Sequence, residues 1–357
     1  MKILMISSDK HICRSDSPVR QRMIDYSHLV EELHLIVIGT GKQLPPEVVA
    51  NRLFIYPIFS FFRLIALAKA LVSTGYHWSA KDIDLVTAQD PFELGLLGLY
   101  WSKKLDAKLQ LQIHTDLMAR NFRRQSLKNR LRFILAQYLL PKADCLRVVS
   151  ERIKKSLADF KLSGPIQVLP IQTSPLELPA DDSQITERSP GGRKVFLTVS
   201  RLEKEKRPAL LLEAFVLIRE KIPAAELIIV GDGTLRLKLV KQAQISGVAE
   251  AVRFVGWRDD VSSYYRLADC FLLTSAFEGY GLVLAEAAAV GLPIVSTDVG
   301  IAREVGAKIV QPEAVDIAAA ACQVIDQPAL FKSKSLAMSQ AEYFRRLKDG
   351  WGDCLKK

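Results

Sequence analysis

The sequence has few cysteines and no spacing that pairs them. Five occur in 357 residues, an odd number scattered along the chain: Cys13, Cys145, Cys270, Cys322 and Cys354. None has the short spacing of a metal site or a redox motif. We therefore expect free thiols in a reducing compartment.

Motifs of several enzyme classes are also missing. The chain contains no HExxH, CxxC, GxSxG or P-loop, so no metalloprotease, hydrolase or NTPase is supported. Gly231-Asp232-Gly233 after LIIV forms part of a dinucleotide fingerprint. It lacks the third glycine and an acidic residue about 20 positions further on, and we interpret it as a tight turn.

No apolar run is long enough, without charges, to span a membrane. Residues 53–72 come nearest but contain Pro57, Arg63 and Lys69, whereas a spanning helix needs about 20 residues with few or no charges. We interpret the segment as a strand followed by a buried or interfacial helix. The N-terminal MKILMISSDKH lacks a signal-peptide core and cleavage site, so we expect a cytoplasmic protein.

What is present indicates two α/β domains. A chain of 357 residues exceeds one ordinary hydrophobic core, and β-rich runs alternate with helical stretches in both halves, which is typical of doubly wound parallel sheets. Residues 168–194 are rich in proline, serine and acidic residues without periodicity, which indicates a linker. We predict domains at 1–171 and 172–338, with ligands in a cleft where the carboxyl ends of the strands face each other.

The net charge of +10 belongs wholly to the first half. Residues 1–170 contain 25 Lys or Arg and 15 Asp or Glu, whereas 171–357 contain 24 of each. Such an imbalance indicates a polyanionic partner.

Residues 120–140 concentrate this charge. If this segment, RNFRRQSLKNRLRFILAQYLL, forms one helix, a basic flank lies beside an apolar face. The basic flank includes Arg123, Arg124, Lys128 and Arg130. This is the pattern of a peripheral contact with an anionic membrane. A helix that buries its apolar face in the core and leaves its arginines solvated fits equally well, and no recognition motif supports nucleic acid.

Two glutamates, Glu278 and Glu286, stand on either side of a glycine turn in FEGYGLVLAEAAAV. The stretch follows the apolar run CFLLTSA, so it predicts a strand-to-helix loop in which Gly279 and Gly281 let the backbone approach a ligand. Amides at the helix start suit a phosphate, and Glu286 could receive two ribose hydroxyls. The spacing fits a diphosphate between a sugar and a nucleoside; an ordinary surface glutamate also fits Glu286.

A cation for such a diphosphate occurs at the start of the second domain. In VSRLEKEKRP, Arg201 ends a strand and Lys206 follows five residues later, so both could face the same cleft. A solvated charge run is the alternative. The glutamate pair makes the binding interpretation stronger.

These stretches together resemble the group 1 glycosyltransferases. VSRLEKEKRPALLLEAF, LIIVGDGTLR, VRFVGW and SAFEGYGLVLAEAAAVGLPIVSTDVGIAREV occur in the family's order and separations, over residues 180–310. The resemblance implies the GT-B fold, with two Rossmann-like domains facing each other across a cleft. It also implies that residues 339–357, which include EYFRRLKDGWGDCLKK, form a helix that returns to the first domain.

The resemblance implies roles for individual residues. Arg201 and Lys206 would bind the donor diphosphate, Glu278 would contact the transferred sugar, and Glu286 would hold the ribose. The rest of the donor site would comprise Gly279, Tyr280, Gly281 and Leu282, with Gly256 and Trp257 beside the base.

The first domain matches less closely. His114, after the strand LQLQI, looks like the family's histidine near the donor sugar and acceptor, although a structural histidine is the alternative. The first loop, DKHICRSDSPVRQRM, lacks the glycine-rich turn of many relatives. Arg14, Ser15 and Asp16 are the candidates to replace it on the acceptor side.

The resulting prediction is a retaining hexosyltransferase that moves a sugar from a nucleoside-diphosphate sugar to an acceptor. We expect a UDP- or GDP-sugar donor, no cofactor and no metal, and the departing phosphate as base. A lipid or lipid-linked glycan of cell-envelope polysaccharide synthesis, at the inner membrane face, is the expected acceptor. A nucleotide-sugar epimerase of the same fold and a non-catalytic donor-binding partner subunit remain open alternatives.

Overall fold

The computed structural model describes residues 1–72, 78–172 and 193–356. The chain divides into two compact units. Unit 1 comprises Met1–Pro170 and Ser339–Lys357, and unit 2 comprises Ile171–Met338. The chain therefore leaves unit 1, builds unit 2 and returns to unit 1. Most of the predicted linker, residues 168–194, lies outside the described residues.

Strands and helices alternate through both units, as the sequence pattern predicts. The strands are β1 (Lys2–Ser7), β2 (Glu32–Thr40), β3 (Glu47–Val49), β4 (Leu53–Ser60), β5 (Leu85–Ala88), β6 (Lys108–Ile113), β7 (Cys145–Val148), β8 (Ile166–Val168), β9 (Lys194–Val199), β10 (Ala225–Val230), β11 (Val252–Gly256), β12 (Cys270–Leu273), β13 (Ile294–Thr297) and β14 (Lys308–Val310). The helices are α1 (Pro18–Ser27), α2 (Arg63–Val72), α3 (Glu93–Leu105), α4 (Arg120–Gln125), α5 (Leu127–Leu139), α6 (Glu151–Ser156), α7 (Pro208–Lys221), α8 (Arg236–Ile245), α9 (Ser262–Leu267), α10 (Leu282–Ala289), α11 (Ala314–Asp326) and α12 (Gln340–Leu355).

Unit 1 is built on an eight-stranded sheet in the order β3-β4-β2-β1-β5-β6-β7-β8. Among the described strands of this sheet, only the β3–β4 pair is antiparallel. Strands β1, β2 and β5 are mostly apolar, as expected where helices cover both faces of a sheet. Right-handed crossovers place α2, α3 and α5 on one face and α1 on the other.

Unit 2 is built on a six-stranded parallel sheet in the order β11-β10-β9-β12-β13-β14. Its core includes Phe196 on β9, Phe215 on α7 and Phe271 on β12, each fully buried. The predicted α/β architecture of two doubly wound, Rossmann-like sheets is confirmed.

The last helix, α12, is bound to unit 1 by a disulfide and by buried hydrogen bonds. Cys354 on α12 is bonded to Cys145 on β7. The hydroxyl of Tyr343 accepts from Nη2 of Arg147 at 3.0 Å and lies 3.2 Å from the hydroxyl of Tyr26 on α1. Helix α12 also packs against β5 and β6.

The expectation that all five cysteines are free thiols is therefore wrong. Cys13, Cys270 and Cys322 are free, but Cys145 and Cys354 are joined across 209 residues of sequence. Local spacing cannot reveal such a pair, because the fold alone brings the two residues together.

The segment 120–140 forms two helices rather than the single helix that was predicted. Ser126 has extended backbone (φ −161°, ψ 159°) and separates α4 from α5. Its hydroxyl accepts from the amide of Asn129 at 3.1 Å, which caps α5. Across the described ranges, the helices are all too short or too polar to cross a bilayer.

Candidate functional site

Two predicted site residues of unit 2, Lys206 and Glu278, lie where the order of its sheet reverses. Strand β9 has β10 on one side and β12 on the other, so the loops after β9 and β12 diverge at the carboxyl end of the sheet. Doubly wound sheets bind ligands at this position. Lys206 lies in the first loop and Glu278 in the second.

Lys206 and Glu278 form an ion pair. Nζ of Lys206 is 2.6 Å from Oε1 of Glu278, and Ser275 donates to the same oxygen at 2.7 Å. The two charged side chains are only 14% and 11% exposed. Shielding from water makes the attraction stronger than in an ordinary surface pair.

Main-chain contacts fix the two loops relative to each other. The hydroxyl of Thr274 donates to the carbonyl oxygens of Lys206 and Arg207 at 3.0 and 3.1 Å. The amide of Ala276 donates to the carbonyl of Glu205 at 2.7 Å. Hydrogen bonds to the backbone therefore hold the two loops, and with them Lys206 and Glu278, in a fixed relative position.

The turn between Glu278 and α10 depends on two glycines. Gly281 has φ +85° and immediately precedes α10, where its lack of a side chain leaves the first helical amides without a side-chain cap. Gly300 has φ +49°, and a Cβ there would collide with the carbonyl oxygen of Tyr280. Ile301 donates its amide to that oxygen at 3.0 Å, so the stretch after β13 braces the turn. Leu282, the first residue of α10, is exposed.

Glu286 is half-buried on α10 and bonded to a tyrosine that the sequence did not single out. The hydroxyl of Tyr265, which is fully buried on α9, donates to Oε2 of Glu286 at 2.8 Å. Burial raises the pKa of Glu286, and the Tyr265 bond opposes that rise. A helix-to-helix contact of this kind leaves no local signal in the sequence. Glu286 is therefore anchored to a neighbouring helix, and its ribose role stays a prediction.

The Lys206–Glu278 ion pair does not include three other predicted site residues: Arg201, Gly256 and Trp257. Arg201 is 65% exposed, and its Nη2 lies 3.2 Å from Oε1 of Glu205. Trp257 is exposed, with Nε1 donating to Asp259 at 3.3 Å. Gly256 accepts from the amide of Gly231 at 2.8 Å, so the tight turn after β10 adjoins the predicted base side.

His114 lies in unit 1, directly after β6, and is partly buried. Its Nε2 is 3.4 Å from Oε1 of Gln112, which also accepts from Nη1 of Arg147 at 3.3 Å. Burial, with the positive charges of Arg147 and Arg22, lowers the pKa of His114 to about 4. The imidazole is therefore neutral at physiological pH.

Asp116, the carboxylate nearest to His114 in sequence, is engaged elsewhere. It is buried, bonds the amide of Met118 at 3.2 Å and lies 3.4 Å from Nε of Arg152. Within the described ranges, no three His, Cys, Asp or Glu side chains are grouped so as to hold a metal ion.

The first loop of unit 1 replaces a glycine-rich turn with a short 3₁₀ turn at Lys10–Cys13. Arg14, Ser15 and Asp16 follow it and are exposed. Ser17 then caps α1 by accepting from the amide of Val19 at 3.1 Å. The three residues are accessible, and their acceptor-side role stays a prediction.

The basic residues of the predicted membrane contact divide into two groups. Arg124, Lys128 and Arg130 are exposed. Arg123 is half-buried, with its guanidinium 4.9 Å from the ring centroid of Phe133. The predicted apolar face is divided as well, since Leu127, Leu131 and Ile134 are exposed whereas Phe122 is buried. The membrane contact stays a prediction.

Two family models match the chain, one in each unit. Residues 181–326 match glycosyl transferases group 1, and residues 29–171 match Glycosyltransferase Family 4. Together these matches take in most of the sequence.

Curated relatives match over part of their length. An alpha-monoglucosyldiacylglycerol synthase of Streptococcus pneumoniae is 26% identical over 258 residues, which is 67% of this chain and 57% of that protein. A glycogen synthase of Mycobacterium tuberculosis is 34% identical over 157 residues, which is 42% of this chain and 38% of that protein. The chain thus spans about half the length of these relatives.

Solved structures match over the whole chain. A sucrose-phosphate synthase from Thermosynechococcus elongatus has a TM-score of 0.71 at 18% identity, covering 100% of this chain and 97% of that one. Anabaena Alr3699/HepE in complex with UDP has a TM-score of 0.66 at 18% identity, with coverage of 100% and 97%. These likenesses concern the fold, which is GT-B. The two family matches, one in each unit, identify the chain as a member of the group 1 glycosyltransferases.

Proposed function

We propose that this protein transfers a sugar from a nucleoside-diphosphate sugar to an acceptor with retention of anomeric configuration. The observation that carries the proposal is the shielded Lys206–Glu278 ion pair at the switch point of unit 2. It presents one cation and one carboxylate beside uncapped helix amides, which suits a ligand with both an anionic and a hydroxyl-rich part.

The donor diphosphate takes over Lys206 from Glu278. Glu278 keeps its bond from Ser275 and turns its other acceptor positions to the hydroxyls of the transferred sugar. Arg201, exposed two residues after β9, adds a second cation to the diphosphate. The uncapped amides after Gly281 complete its surroundings.

The nucleoside lies toward α9 and Gly256. Glu286, held by Tyr265 at 2.8 Å, accepts two ribose hydroxyls, while Gly256 and Trp257 lie beside a uracil or guanine. Alr3699/HepE is described in complex with UDP, which favours UDP as the first donor nucleotide to examine.

Charge on the leaving diphosphate drives the chemistry. As the bond from the anomeric carbon to the phosphate oxygen breaks, negative charge grows next to Lys206, Arg201 and the helix amides. Preorganised positive groups stabilise this charge by several kcal/mol, on the order of 3 kcal/mol for one hydrogen-bond donor. The acceptor oxygen bonds to the anomeric carbon and gives up its hydroxyl proton. A His114 pKa of about 4 makes it a poor acceptor of that proton, so the departing phosphate takes it and His114 acts by hydrogen bonding. No cofactor or metal is required by this scheme.

The acceptor is a lipid or a lipid-linked glycan at the cytoplasmic face of the membrane. The name of the Streptococcus pneumoniae relative refers to a glucosylated diacylglycerol, and another relative, LpsE of Rhizobium meliloti, is named for lipopolysaccharide core biosynthesis. Both names favour a role in the cell envelope. Arg14, Ser15 and Asp16 are the proposed acceptor-side residues.

Incubation with UDP-, GDP- and ADP-sugars tests the proposal. Release of the nucleoside diphosphate, together with a glycosylated lipid whose new linkage keeps the donor's anomeric configuration by NMR, is the expected result. Conversion of the donor to a different sugar without release would identify an epimerase. Binding without any turnover, across lipid and glycan acceptors, would identify a donor-binding subunit. Glu278→Gln provides the inactive control.

A further inference from the structure

Helix α2 carries its large apolar side chains on the outside. Its buried residues are Ala66 and Ala70, which pack toward the sheet, whereas Leu64 is 78% and Val72 is 73% exposed. Small residues facing inward let the helix lie close to β2 and β4, with which it is in contact. This arrangement reverses the usual amphipathic pattern, in which aliphatic side chains face the core.

Two phenylalanines extend this apolar surface at the start of α2. Phe61 is 93% and Phe62 is 68% exposed, in the turn between β4 and α2. Adjacent exposed aromatic rings are costly in water and are typical of surfaces that meet another apolar phase.

Helices α3 and α5 continue the surface. Helix α3 packs against both α2 and α5, and the three share one face of the sheet. Leu96 and Tyr100 are exposed on α3. The exposed residues of α5 follow at intervals of three and four, which places them in one stripe: Leu127, Leu131, Ile134 and Tyr138. We call the exposed apolar residues of α2, α3 and α5, with Phe61 and Phe62, the apolar face.

The helices that carry the apolar face, with the neighbouring α4, are rich in basic residues. Helices α2, α3, α4 and α5 together contain ten Lys or Arg residues and a single acidic residue, Glu93. Glu93 is bonded by Arg132 through Nε and Nη2 at 2.8–3.1 Å, so its charge is compensated. At 100° per residue, Lys128 and Arg130 project on opposite sides of the α5 stripe.

We propose that the apolar face lies on the surface of an anionic lipid bilayer. Phe61, Phe62 and the aliphatic residues of α2 and α5 enter the boundary between head groups and acyl chains, while Lys69, Lys128 and Arg130 meet the anionic head groups. The basic residues favour a negatively charged partner, and the exposed aliphatic residues require a partner with an apolar interior. Nucleic acid offers only the first of these.

The inference deepens the proposed function on its acceptor side alone. A protein held on the bilayer by α2, α3 and α5 meets lipid acceptors by diffusion in two dimensions. The contact requires neither donor nor turnover, so it is measurable separately from glycosyl transfer.

Sedimentation with phosphatidylcholine vesicles, with and without phosphatidylglycerol, tests the proposal. We expect the protein to bind the anionic vesicles at least about tenfold more strongly than the neutral ones, with release as salt screens the attraction. Phe61→Ser/Phe62→Ser and Lys128→Gln/Arg130→Gln should each weaken binding to anionic vesicles by about tenfold or more. The matched control, Leu237→Ser/Ile245→Ser, removes two exposed apolar residues of α8 in unit 2 and should bind like the parent.

Equal binding to neutral and anionic vesicles would overturn the proposal, as would a phenylalanine variant that binds like the parent. Light scattering that shows a dimer lost in the phenylalanine variant, without vesicle binding, would identify a second copy as the occupant and also overturn it. UDP binding of each variant, measured by calorimetry, should match the parent. Vesicle binding without release of any nucleoside diphosphate would reject the proposed transfer and leave the docking surface intact.

Discussion

Lys206 and Glu278 share an ion pair with Nζ and Oε1 2.6 Å apart, although the sequence assigns them to different parts of the donor. The cation predicted for the diphosphate and the carboxylate predicted for the sugar neutralise each other in this structure. A ligand that recruits one therefore releases the other. Their contributions to turnover should be strongly non-additive in a double-mutant cycle.

Replacing Lys206 should cost at least ~100-fold in turnover with donor saturating, because one stabiliser of the leaving group is lost. Steady-state release of nucleoside diphosphate measures this effect. Lys204→Ala, at an exposed position two residues earlier, is the matched control and should retain parental turnover. Parental turnover in Lys206→Ala would show that the diphosphate binds elsewhere.

Replacing Glu286 should weaken nucleotide binding more than turnover, since the ribose contacts exist in both the ground and the transition state. Tyr265→Phe should produce a smaller loss of UDP or GDP affinity, about fivefold, because it removes one hydrogen bond to Glu286. Calorimetric titration measures both, with Tyr264→Phe as the control. Undiminished nucleotide affinity in Glu286→Ala would eliminate the ribose role. Glu278→Ala, by contrast, should mainly lower turnover.

His114 should make the protein less stable in mild acid. Its folded pKa of about 4 lies below the ordinary value near 6.5, so the unfolded chain takes up a proton more readily. The stabilisation that neutral His114 provides is fully present at pH values above the ordinary histidine pKa, and it is lost as the pH falls toward 4. Between pH 7 and pH 5, the free energy of unfolding of the parent should fall by about 1–2 kcal/mol more than that of His114→Gln.

Thermal unfolding of the two proteins across this range measures that difference. The exposed His28 provides a control, and His28→Gln should follow the parent. Parallel curves for the parent and His114→Gln would mean that the imidazole is not held neutral in the fold.

Counting thiols should reveal the Cys145–Cys354 bond. Alkylation of the unfolded, unreduced protein should label three cysteines, and prior reduction should raise the number to five. Cys354→Ser should lower the stability of unit 1 by about 2–4 kcal/mol. Five labels without reductant would show that the two sulfurs are unlinked neighbours.

Much of the fold follows from periodicity that is visible in the sequence. Buried strands such as β1 and β12 are continuous apolar runs, and Ser17 with its following proline marks the start of α1. Strands β3, β8 and β14 have three residues each, too few for alternation to indicate them. Ser126 interrupts a stretch that is otherwise helical, because its hydroxyl caps the helix that follows.

The site was partly predictable for a related reason. Lys206 and Glu278 follow strands whose carboxyl ends lie side by side, so strand order alone predicts their proximity. Tyr265 and the Cys145–Cys354 bond depend on packing between elements distant in sequence. The sequence also does not reveal that the apolar side chains of α2 face outward. Composition shows that a helix is apolar, but it does not show which side of the helix faces the solvent.

The return of α12 to unit 1 sets an order for folding during synthesis. Unit 2 is continuous from Ile171 to Met338, so it can fold as soon as its own residues leave the ribosome. Unit 1 begins to form first, yet β5, β6 and the buried Arg147 stay uncovered until the final residues of α12 emerge. The half of the molecule that is translated first is therefore the last to be completed.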